Sequence, residues 1–101
     1  MKILEIIPSR ENCVEAGWYA YDYLLAAPVD KALVDLLRPL GSMTYLGMLR
    51  RPFFKIDTAE YSIKGIEGND FFRIAVDDQR RECLDRINAF LEAADWPAAG
   101  R

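Results

Sequence analysis

Tyr61-Ser62-Ile63-Lys64-Gly65-Ile66-Glu67-Gly68-Asn69-Asp70-Phe71-Phe72-Arg73-Ile74-Ala75-Val76 folds on paper into a single hairpin register, and the reading of the whole chain grows from it. Residues 61–66 and 71–76 are rich in strand formers, and a two-residue loop at Gly68-Asn69 fits a primed turn with glycine first. That loop sets Glu67 against Asp70, Ile66 against Phe71, Gly65 against Phe72, Lys64 against Arg73, Ile63 against Ile74 and Tyr61 against Val76. Because side chains alternate between faces, Tyr61, Ile63, Phe72, Ile74 and Val76 share one apolar face, and the other carries Ser62, Lys64 and Arg73.

Upstream of the hairpin the extended pattern runs on through Phe54, Ile56 and Thr58, but the apolar residues sit at even positions there and at odd positions from Ala59 onward. A bulge or bend near residues 58–60 reconciles the two halves on one core. Residues 42–49 are apolar on both faces and read as a central strand, with Arg50-Arg51-Pro52 as punctuation. Further back, Pro28 suits the first position of a helix with Asp30 in its first turn. Val29, Leu33, Leu36, Leu37 and Leu40 form its apolar side, and Pro39 ends it near Arg38. Residues 18–26 fit both an alternating strand and a helical stripe through Val14, Trp18, Tyr21 and Leu25. The strand is the better reading, because Gly17 weakens the helix and aromatics favour strands. Residues 2–7 form a short strand stopped by Pro8. After the hairpin, Asp77 and Asp78 offer caps to a helix with the stripe Cys83, Leu84, Ile87, Phe90, Leu91 and Ala94, closed by Trp96-Pro97.

The order is therefore ββαβββα. It describes an α+β fold with a mainly antiparallel sheet of about five strands and two helices packed on one face, a ferredoxin-like variant being the nearest named architecture. All 101 residues belong to one domain, with about 97–101 as a frayed tail. Half the residues are apolar and twelve per cent aromatic, enough for a core without staples. There is no internal repeat, low-complexity tract or linker.

The composition excludes more chemistry than it offers. Histidine is absent, which removes Ser-His and Cys-His nucleophile pairs and every histidine-containing metal site. The net charge of −3 argues against nucleic acid and anionic membranes as partners. Residues 1–7 are too short and too acidic for a signal peptide, and no run reaches membrane-spanning length, so a cytoplasmic protein is the expectation. Cys13 and Cys83 are far apart and outside any Cys-x-x-Cys spacing, hence expected as reduced thiols, Cys83 in the core.

One local rule is broken: Lys64 lies directly opposite Arg73, where like charges repel. Either a carboxylate compensates from within, from Asp57, Glu60, Glu67 or Asp70, or an anionic ligand or acidic partner sits there, with Lys55 and Arg51 close by. The row Tyr19, Tyr21, Tyr23 either covers the sheet or presents a stacking surface, and Asp22 marks a pocket if it is buried among the rings. Cys13 has acidic neighbours that raise its pKa, which argues against a catalytic thiol. The remaining carboxylates sit at caps and turns. No metal site, cofactor motif or catalytic residue emerges. The expected function is a small non-enzymatic module that binds a macromolecular partner, a second copy as a homodimer included, or a small anionic ligand. The alternative is a small enzyme or enzyme subunit with a cleft built on tyrosine and carboxylate or on Cys13. A third reading, nucleic-acid binding through Arg50, Arg51, Lys55, Lys64 and Arg73, needs those residues to converge.

Overall fold

The computed structural model describes residues 3–9 and 17–94. Cys13 and the frayed tail expected at about 97–101 lie outside the described residues. Six strands, Ile3–Pro8 (β1), Trp18–Leu25 (β2), Met43–Leu46 (β3), Phe53–Asp57 (β4), Tyr61–Ile66 (β5) and Phe71–Asp77 (β6), form one sheet in the order β1-β2-β6-β5-β4-β3. Every neighbouring pair is antiparallel. Helix α1 (Lys31–Leu37) links β2 to β3, and α2 (Glu82–Ala93) follows β6. The α+β class and the antiparallel sheet hold, but among the described residues the strands number six and the order is ββαββββα, which does not follow the ferredoxin-like βαββαβ order.

The extra strand comes from the parity change at Thr58, which marks a reversal of the chain and not a bulge. The Thr58 N–H donates to the Tyr61 carbonyl at 2.9 Å, and Thr58 Oγ1 accepts the backbone N–H groups of Glu60 and Tyr61 at 3.2 and 3.0 Å. This side-chain mimicry of a turn folds β5 back on β4. Ile56 then opposes Ile63 and Phe54 opposes Gly65, so even and odd positions meet on the same face. Residues 42–49 are also reassigned. Only Met43–Leu46 is strand, it pairs with β4 alone at the sheet edge, and Met48 and Leu49 are exposed in the following loop. The apolarity on both faces that suggested a central strand belongs partly to that loop.

The hairpin register is as read from the sequence: Tyr61 faces Val76, Ile63 faces Ile74, Lys64 faces Arg73 and Gly65 faces Phe72. Its loop is longer than two residues. Asn69 donates to the Ile66 carbonyl and Gly68 takes φ +97°, a turn centred on Glu67-Gly68 whose third position needs positive φ. The loop opens because its backbone is used elsewhere. The Asn69 carbonyl accepts from Val29, the Asp70 carbonyl from Leu25, and the Gly68 N–H donates to Val29. Val29 therefore stays outside the helix, and α1 starts not at Pro28 but at Lys31 with Asp30 as its cap, the Asp30 carboxylate accepting from the Leu33 N–H at 2.9 Å. Asp77 likewise caps a short 3-10 turn, Asp78–Arg80, ahead of α2.

Both helices cover one face. Leu33, Val34 and Leu37 of α1 and Cys83, Ile87 and Leu91 of α2 are buried with Tyr23, Leu25, Phe54, Ile56, Ile63, Phe72 and Ile74 of the sheet. Phe90 and Leu84 flank the α2 stripe without reaching its centre. Gly65 is demanded by packing on this face. A Cβ there would lie 2.7 Å from Phe54 Cε1 and 3.1 Å from Phe72 Cβ, and both rings are fully buried. Gly65→Ala is expected to cost about 1–3 kcal/mol as overpacking, measured as a shift in urea midpoint at unchanged slope.

Candidate functional site

The face opposite the two described helices carries one residue from each of the six strands in a single row across the ladder: Ile7, Asp22, Arg73, Lys64, Lys55 and Thr44. Three consecutive members are cations. Directly opposed side chains in a ladder have Cβ atoms about 4.5–5.5 Å apart, so Lys64 stands between two like charges at close range. Among the described residues, the ion pairs of these cations lie at the two outer members. Arg73 Nε donates to Asp22 Oδ1 at 2.8 Å, with Asp22 fully buried. Lys55 Nζ pairs with Asp57 Oδ2 at 3.1 Å.

Three of the four carboxylates expected to neutralise Lys64 hold other partners. Glu60 accepts from the Cys83 thiol and faces Arg80 and Arg86. Glu67 accepts from the Tyr45 hydroxyl, Asp57 holds Lys55, and Asp70 uses its backbone carbonyl on Leu25. Among the described residues Lys64 makes no ion pair. Alternation places half-buried Leu24, Phe71, Ile66, Phe53 and Leu46 along one side of the row and Ala20, Ala75, Ser62 and Asp57 along the other. Half-buried Lys64 thus lies between an apolar strip and a strip of small residues that ends at Asp57.

The other candidates separate. Arg51 hydrogen-bonds the Asn69 side chain at the hairpin loop and is not part of the row. The tyrosines lie on the helix-covered face, grading from exposed Tyr19, under the Arg81 guanidinium at 4.4 Å, to fully buried Tyr23. The Tyr23 ring stacks on Phe72 with centroids 5.3 Å apart, and its hydroxyl donates to Asn88 Oδ1 at 2.6 Å. Burial raises the Tyr23 pKa, so the hydroxyl stays protonated and acts as a structural donor. Asp22 is buried as the pocket idea required, but it points away from the rings toward Arg73, so Tyr21 and Asp22 share no cleft.

Cys83 is a core thiol. Desolvation and the Glu60 carboxylate raise its pKa despite the adjacent Arg86 guanidinium, which keeps it un-ionised. Among the described residues no group of His, Cys, Asp and Glu is placed to hold a metal ion, and no helix is long and apolar enough to cross a membrane. Two parts of the row escaped the sequence. Lys55 lies directly opposite Lys64 because of the reversal at Thr58. Asp22 faces Arg73 because β2 pairs with β6, a non-local contact whose one signal is a lone carboxylate inside an aromatic strand. No family model matches the chain, and neither a curated protein nor a solved structure matches it.

Proposed function

We propose that this chain is a small binding module, without catalysis of its own, that takes the anionic group of a small ligand or of a protein partner on the row Lys55, Lys64, Arg73. The observation that carries the reading is Lys64, half-buried, opposed by a cation on each side and without an ion-pair partner among the described residues. Such an arrangement costs stability in the free protein and is relieved when an anion supplies the missing charge. The net charge of −3 keeps long-range attraction for nucleic acid weak, so recognition here is local, by a carboxylate or phosphate group.

Thermal denaturation in low salt tests it. Lys64→Ala should melt above the parent, because it removes two repulsive contacts. Added phosphate should then stabilise the parent more than Lys64→Ala, each tenfold excess over the dissociation constant adding roughly 1.4 kcal/mol. Excluded-solute stabilisation acts on both proteins alike, so the difference between them is the readout. Equal phosphate responses would remove the site.

A further inference from the structure

The opposite edge of the sheet carries a second surface of different chemistry. Ser9 donates its N–H to the Ala20 carbonyl at 2.9 Å. Inward-bonding residues recur every second position in an antiparallel ladder, so Ile7 and Glu5 bond toward β2. The N–H and C=O of Ile6 and the carbonyl of Pro8 therefore point outward from the last strand. The register slips between Ile3 and Glu5, placing Leu4 in a bulge. Leu4 is 66% exposed and Ile6 43%. A groove of about 590 Å³ runs between this strand and α2, lined by residues 3–6 and by Asn88, Leu91 and Glu92. Glu5 and Glu92 make no ion pair among the described residues.

We propose that β1 accepts an added strand, an extended segment of another protein in which apolar residues alternate with lysine or arginine. Main-chain bonds to Ile6 would supply the pairing, and alternate side chains the selectivity. The apolar side chains of such a segment fall over Ile6 and Leu91 toward α2, and its cations, on the other face, meet Glu5. A second copy of this chain fits less well, because a two-fold seam along β1 brings the Glu5 and Glu92 carboxylates of both copies together. The surface lies three strands from Lys64 and does not depend on the cations of the row.

The test titrates a blocked octapeptide alternating valine with lysine into isotope-labelled protein, beside the same peptide with glutamate in place of lysine. Saturable amide shifts at Ile6, Ile7 and the Asn88 to Glu92 turn with the lysine peptide alone, weakened roughly threefold in Glu5→Gln, are the expected result. Equal binding of the glutamate peptide overturns the proposal, as do an unchanged affinity in the glutamine variant and shifts centred on Lys64. Edge shifts that follow protein concentration without peptide overturn it in favour of a second copy. Both peptides are compared on the parent protein, so the contrast stands even if the variant folds poorly.

Discussion

Arg73→Ala is expected to destabilise the protein by about 3–5 kcal/mol, the cost of leaving a buried charge without the partner it faces. Asp22 is fully buried and Arg73 pairs with it, the Arg73 side chain being only 13% exposed. At roughly 4–8 °C per kcal/mol for a domain of this size, the melting temperature should fall by at least about 12 °C. This separates two cations that look alike in the sequence. Lys64 and Arg73 occupy facing positions, yet removing the first relieves repulsion and removing the second strips the counter-charge from Asp22. The double variant Asp22→Ala/Arg73→Ala should recover much of the loss, because both charges leave together and the two sites are strongly coupled. Urea denaturation of the two singles and the double completes the cycle. An Arg73→Ala cost below about 1 kcal/mol would show that the pair does not anchor the open face.

Phe72→Ala should cost a similar amount, about 3–5 kcal/mol, through lost transfer energy and the cavity left behind. Phe72 is fully buried, stacks on Tyr23 and backs onto Gly65, where no Cβ exists to collapse into the space. Arg86→Ala on the exposed side of α2 should change stability by well under 1 kcal/mol. It touches Cys83 Sγ and Glu60, an exposed ion pair worth little. Comparable effects at Phe72 and Arg86 would mean that the helices cover the wrong face of the sheet.

Local chemistry was legible and long-range pairing was not. The register of β5 with β6 is set by alternation over a short loop, and it came out of the residues directly. The loop itself did not, since its backbone bonds to Leu25 and Val29 are distant contacts that no local rule contains. At Thr58 the sequence showed the change in parity but not its cause. A bulge and a two-residue reversal produce the same pattern, and the choice depends on a threonine hydroxyl capturing two N–H groups. For the candidate site, the clash of Lys64 with Arg73 was visible, its extension to Lys55 required the Thr58 turn, and the role of Asp22 required β2 beside β6. The cation row is a product of topology, assembled from residues 55, 64 and 73 on three strands.

The most direct measurement is a phosphate titration of isotope-labelled protein followed by amide and lysine side-chain shifts. Anion binding on the row gives saturable changes centred on Lys64, extending to Lys55 and Arg73 on the neighbouring strands and absent in Lys64→Ala. Shifts that are linear in phosphate, spread over the surface, or identical in Lys64→Ala would contradict it.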